Sequence, residues 1–208
     1  MSSQKKTLKA LNNKQDLIMV SLKKFYKEKN NIEQLLPIVN GGSKLSLRII
    51  DWFVTNYSKK NNIIYYLKRT KKGGNDYSYS KEGNDEYSDP FIVYIRYKSQ
   101  LDGFQKRLFD PFCRIGKNGN RIEFFYDDKK SIVTTVGQLN FFKWAIENNI
   151  LAYIKDNIAE IEQDMNKNIR KLSPTTKKNK KGKKKSNKAK QEKTGGGTSQ
   201  GNTQSKRR

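Results

Sequence analysis

Histidine is absent from the 208 residues, and cysteine occurs once, at Cys113. Without histidine there is no Ser-His-Asp or Cys-His nucleophile, no imidazole general base and no imidazole metal ligand. A lone cysteine excludes a disulfide framework and a cysteine-cluster zinc site. Acidic side chains are scarce, with 20 Asp+Glu against 44 Lys+Arg, and hydrophobic residues make up only 34% of the chain. No stretch approaches the roughly 20 apolar residues of a membrane-spanning helix. Met1 to Leu11 is polar and lysine-rich and lacks the apolar run of a signal peptide, so the expected compartment is reducing and intracellular. In that compartment the Asn56-Tyr57-Ser58 glycosylation sequon is a chance match. The expectation is therefore a protein without catalytic residues, without a metal site and without a cofactor.

What the chain does have is positive charge, +24 in total. A charge of that size predicts an anionic partner, either nucleic acid or an acidic membrane surface. Lysine outnumbers arginine 35 to 9, beside abundant Asn, Ile, Tyr and Phe. An AT-rich genome produces such a mix, but mutational bias does not explain where the lysines cluster. Residues 173–208 hold 13 Lys+Arg and one acid, Glu192, a net of +12. Their one apolar residue is Ala189, so this tail cannot bury enough surface to offset its backbone entropy and is expected to be disordered.

Composition divides the rest into an N-terminal basic amphipathic helix within residues 1–40 and an α+β core domain over 41–172. The expected core is a small antiparallel sheet packed with about four helices. Leu8, Leu11, Ile18, Leu22, Phe25, Ile32 and Leu36 follow an a/d spacing, which predicts a helix from about Thr7 to Leu36, stopped by Pro37. Asn40-Gly41-Gly42 reads as a turn, and Ser43 as the cap of a buried helix from Lys44 to Tyr57. Strands are expected at Ile63 to Lys68 and Phe91 to Tyr97, joined by a flexible insert at 71–89 that contains no aliphatic residue. Phe109 to Ile115 and Arg121 to Tyr126 flank the glycine-containing segment 116–120 and read as a hairpin, with one more short strand at Ser131 to Thr134. Thr135 and Gln138 have capping-box spacing at the head of a helix reaching Asn148. A fourth helix is expected from Ile150 to Leu172, with Leu151, Ile154, Ile158, Ile161, Met165 and Leu172 at a/d spacing. The first stripe is basic and the last acidic; each either faces the domain core or pairs with another stripe in self-association.

Two stretches suit phosphate binding. The tail presents Lys177, Lys178, Lys180, Lys181, Lys183, Lys184, Lys185, Lys188 and Lys190, point charges that contact backbone rather than read bases. The same run also reads as a nuclear import signal or a solubilising tail. The second stretch carries Arg96, Lys98, Lys106, Arg107, Arg114 and Arg121, interleaved with Tyr94, Tyr97, Phe104, Phe109 and Phe112. Cations beside aromatics on a sheet suit backbone tracking with base stacking; alternatively the aromatics form the core and the cations a solvated face. Asp110 with Asp128-Lys129-Lys130 loosely imitates a metal-dependent nuclease. The Asp127 to Lys130 turn would not hold that lysine beside a metal. Gly41-Gly42-Ser43-Lys44 inverts the order of a phosphate-binding loop. Cys113 beside Arg114 reads as a small core residue.

Three blocks are familiar together: Leu47 to Tyr57 (LRIIDWFVTNY), Phe109 to Arg114 (FDPFCR) and Thr134 to Asn149 (TTVGQLNFFKWAIENN). They resemble an uncharacterised protein family of nucleocytoplasmic large DNA viruses, the giant amoeba viruses and algal viruses, over about Leu45 to Ile154. The resemblance implies a cytoplasmic viral factory, possible passage into the virion, and a large DNA genome packaged with basic proteins. In that setting the expected function is non-enzymatic binding of nucleic acid, DNA ahead of RNA, for genome organisation. The alternative is a self-associating scaffold of the factory that condenses through multivalent contacts; a metal nuclease comes third. The Lys-rich tail leaves a nuclear location open.

Overall fold

The computed structural model describes residues 14–68, 78–114 and 121–172. The chain divides into Met1–Leu172 and Ser173–Arg208. The second unit, with every lysine singled out in the tail, lies outside the described residues, as do residues 1–13, 69–77 and 115–120. The described unit is α+β, with helices packed around two small antiparallel sheets.

The first expected helix divides in two, α1 (Lys14–Tyr26) and α2 (Lys29–Val39). A polar run, Lys27-Glu28, offers nothing to bury, and Glu28 turns extended there. The buried Asn31 amide donates to the Phe25 carbonyl at 2.9 Å and so satisfies an end carbonyl of α1. Pro37 does not stop α2. It removes only the hydrogen bond to Glu33 and sits within three residues of the helix end, where that loss is small. The reversal comes at Gly41, whose φ of +74° suits glycine.

The next helix begins one turn later than expected. Ser46 caps it by accepting from Ile49 N at 3.2 Å, while Ser43 holds Leu45 N. It runs as α3 (Leu47–Trp52), a π-helical turn (Phe53–Tyr57) and α4 (Ser58–Lys60). Strands β1 (Ile64–Leu67), β2 (Tyr79–Ser80) and β3 (Asp89–Ile92) form a sheet in the order β2-β1-β3. The insert therefore contributes a strand of its own within its described part.

The expected strand at Phe91 to Tyr97 is a strand only as far as Ile92; from there the chain is helix α5 (Val93–Phe104). Val93, Tyr97, Leu101 and Phe104 also fit a helical stripe, and a short apolar run satisfies both periods. Phe109 to Arg114 is not a strand either. After a 3₁₀ turn (Lys106–Leu108) it runs irregularly, because Pro111 has no N–H for a ladder and Asp110 accepts from Phe112 N at 3.0 Å. Strand β4 (Ile122–Asp127) instead pairs with β5 (Lys130–Thr134) through a tight turn at Asp128-Lys129.

Helix α6 (Val136–Glu147) has half of a capping box. Thr135 accepts from Gln138 N at 3.1 Å, but the Gln138 side chain accepts from Thr134 and donates to the Pro111 carbonyl. The final helix breaks at Asn157 into α7 (Ile150–Asp156) and α8 (Ile158–Leu172). The Asn157 side chain donates to the Tyr153 carbonyl, which ends α7.

The core is strongly aromatic. Tyr65 lies against Phe91 and Tyr153, and Trp144 links Phe91, Tyr97, Phe109 and Phe141. Tyr26 of α1 donates to the Leu139 carbonyl at 2.8 Å. The described apolar stripe residues Ile18, Leu22, Phe25 and Ile32, and on the last helices Leu151, Ile154, Ile161 and Met165, are buried in this core, whereas Leu36 and Ile158 are half-buried against it. Both stripes thus face the domain.

Helix α8 is latched to α3 by Asp164. Its carboxylate accepts from Trp52 Nε1 at 3.1 Å and from Lys60 Nζ. Burial alone would raise this carboxyl, but the bonds from Lys60 and Trp52 outweigh it and hold Asp164 below its ordinary range. An acid held low stabilises the fold above its unfolded pKa, and that contribution is lost as pH falls through the lowered value. Asp164→Ala leaves the Trp52 N–H unpaired and is expected to cost about 1–3 kcal/mol at neutral pH. Chemical denaturation should show the gap between mutant and parent narrowing in strong acid; a gap that does not change with pH would refute the latch.

Candidate nucleic-acid interface

The described cations expected to meet phosphate divide into separate groups. Arg96 and Lys98 lie on helix α5, not on a sheet. At roughly 100° per residue they sit on opposite flanks of that helix and do not form one stripe. Lys98 is within 3.9 Å of Asp102. Arg121 is exposed at the foot of β4. The aromatics do not form a stacking platform. Tyr97 and Phe109 are buried, Phe104 stacks on Phe109, and Phe109 meets Phe141 at 5.2 Å between ring centres. The sheet-borne stacking surface is therefore corrected to a core cluster with cations outside it.

Lys106, Arg107 and Arg114 do come together on one held segment, residues 106–114. Its backbone is gripped by the amino end of α6. Asp110 N donates to the Gly137 carbonyl at 3.3 Å, Asn140 Nδ2 to the Leu108 carbonyl at 2.9 Å and Gln138 Nε2 to the Pro111 carbonyl at 2.8 Å. Gly137 is required by space: a Cβ there would stand 2.7 Å from the Arg107 carbonyl oxygen. The segment is thus seated directly on helix backbone, with Lys106, Arg107 and Arg114 exposed.

Below these cations is a small electrostatic cluster. Asp110 is buried, and its Oδ2 lies 3.5 Å from Arg114 Nε. Arg114 packs over the Phe112 ring at 4.4 Å. Asp51 reaches the same place from α3. Burial raises the Asp51 carboxyl above its ordinary range; Arg114 opposes that rise, Asp110 adds to it and Lys106 opposes it again. Burial, with Asp51 and Asp110 nearby, pushes the Tyr97 phenol up to about 12. The phenol therefore stays protonated through the physiological range. Two carboxylates face two cations, so any phosphate drawn to Arg114 competes with Asp110. Asp51 and the gripping residues Gly137 and Asn140 were not evident from sequence. Their signals are slight: one acid on an apolar helix, and a glycine in a first helical turn.

Asp110 and the Asp128-Lys129-Lys130 turn belong to different elements, and among the described residues no group of three or more His, Cys, Asp or Glu side chains is placed to hold a metal ion. No helix among the described residues is long and apolar enough to cross a membrane.

The three familiar sequence blocks converge at this segment: Asp51 comes from the first, Asp110 and Arg114 from the second, Gly137 and Asn140 from the third. Residues 2–206 match a family described as a family of unknown function, DUF7197. The chain belongs to that family. It is 42% identical over 154 residues to an uncharacterised protein, L507, of Acanthamoeba polyphaga mimivirus. That match covers 72% of this chain and 49% of the mimivirus protein, so the chain spans about half the length of this curated relative. The likeness to a giant-virus family is thereby established. No solved structure matches the fold.

Proposed function

We propose that this DUF7197 member binds the phosphate backbone of nucleic acid without sequence preference and serves genome organisation in a viral factory or virion. The observation that carries the reading is the distribution of charge. A net +24 includes a lysine-dense stretch at residues 177–190 and a structurally held segment that exposes Lys106, Arg107 and Arg114. Each phosphate neutralised releases condensed counterions, so such a surface binds by charge density rather than base identity. Lysine dominates, and lysine lacks the two-pronged guanine contact of arginine. Several cationic segments on one chain give multivalent attachment, and many chains on one polyanion compact it.

Replacing Lys106, Arg107 and Arg114 with alanine tests the domain's part. Affinity should fall about equally for unrelated duplexes, and the salt dependence should become shallower by about one unit for each phosphate no longer neutralised. Fluorescence anisotropy across a salt series, with duplex DNA and RNA, measures both. Wild-type protein whose binding does not weaken with salt, or which prefers one sequence strongly, would overturn the reading.

A further inference from the structure

Strand β4 pairs only with β5, and among the described residues no other backbone hydrogen bond reaches it. Its other edge faces a groove of about 690 Å³ walled by α1. The groove touches every residue from Ile122 to Asp128. Consecutive strand residues point to alternate faces, so a cavity that meets all six strand residues and none of β5 opens along the strand's free edge, beside the face on which Tyr26 packs against Phe124. That edge carries no proline, glycine or lysine to discourage pairing. By contrast the edge strand β3 carries Pro90. The one irregularity, a register shift between Phe125 and Asp127, lies at the turn end.

We propose that the β4 edge is a homodimer interface, with β4 of a second copy entering the groove antiparallel to give a continuous β5-β4-β4-β5 sheet. The sequence of the strand is self-complementary in one register. With Phe124 opposite Phe124 on the two-fold axis, Ile122 meets Tyr126, Glu123 meets Phe125, and Arg121 of each copy meets Asp127 of the other. The register centred on Phe125 instead sets Glu123 against Asp127, two like charges. The α1 wall adds Lys23 and Lys27, which suit an incoming strand bearing Glu123, Asp127 and Asp128. Met19 and Tyr26 give the groove apolar lining. On the outward face Phe125 and Val133 are 59% and 68% exposed, and pairing would join these two small apolar patches across the axis. This interface uses none of the apolar helix stripes, which are already occupied, and it does not depend on nucleic-acid binding.

The test is sedimentation of the full-length, nucleic-acid-free chain from micromolar to hundred-micromolar concentration at moderate salt. The wild type should be a dimer. Arg121→Asp and Asp127→Arg should each raise the dimer dissociation constant by about tenfold or more, because both symmetry-related pairs become repulsive. An equimolar mixture of the two variants should dimerise again, since Asp at 121 then faces Arg at 127 and each native Asp127 faces a native Arg121. Circular dichroism and thermal melts confirm that each variant is folded, which matters for Asp127 because it accepts from Asp128 N in its own turn. A wild type that stays monomeric throughout overturns the proposal. So does a dimer indifferent to both reversals, or variants that fail to complement each other.

Discussion

A chain ending at Leu172 should lose most of its affinity for nucleic acid at moderate salt. The removed residues carry 13 Lys+Arg and one acid, which is half of the net +24. Backbone binding scales with the number of phosphates neutralised, with a salt slope of about −0.9 for each in duplex DNA. If the tail neutralises about 6–10 phosphates, its salt-dependent share amounts to about 10³–10⁵ in affinity between roughly 50 and 200 mM salt. The truncated chain should therefore bind more weakly and with a visibly flatter slope. Anisotropy titrations on both lengths at several salt concentrations give the two slopes directly. Equal affinity for the two lengths would sink the idea that the tail binds backbone and would leave targeting or solubility as its role.

The largest loss of stability is expected from Phe109→Ala. Phe109 is 1% exposed and sits among Tyr97, Phe104, Phe141 and Trp144. Removing a buried phenyl group from such a site costs about 3–5 kcal/mol, from forfeited transfer energy and the cavity left behind. Against a domain stability of about 5–15 kcal/mol, that is a large fraction. Urea denaturation should show a lower midpoint with little change in slope. A loss below about 1 kcal/mol would mean that the four surrounding rings close over the gap. Phe109 also lies within the segment that exposes Arg114, so the variant links core packing to the presentation of the cations.

The striped helices and the strands β1, β4 and β5 were largely legible, because those stripes are long and those strands have a polar turn at one end or the other; β2 and helix α5 were not. Nor were the helix breaks. Asn31 and Asn157 end helices by donating side-chain hydrogen bonds to carbonyls, and an asparagine within an a/d pattern gives no sign of that. The stretch from Phe91 to Tyr97 misleads because valine, isoleucine and tyrosine in alternation also supply a four-residue stripe. The pairing of β4 is obscured because residues 116–120 carry a glycine-rich turn signal, while the actual partner lies beyond the plainer Asp128-Lys129. At the candidate site the cations were visible as charges, but their grouping was not. Arg96 and Lys98 separate because the backbone there is helical, and Lys106, Arg107 and Arg114 join because α6 grips the segment from sequence positions about 30 residues away.

The π-helical turn at Phe53–Tyr57 sets the rotational phase between the two ends of its helix. Trp52 and Lys60 both reach Asp164, yet eight residues of regular α-helix would leave them roughly 80° apart around the axis. A wider turn advances less per residue and takes up that surplus, bringing both donors to the same side. The segment therefore acts as a vernier. Deleting one residue within it would leave seven regular α-helical steps between Trp52 and Lys60, about 20° short of two full turns, so both donors would keep their side; regularising the segment without shortening it would instead swing Lys60 roughly 80° away from Asp164.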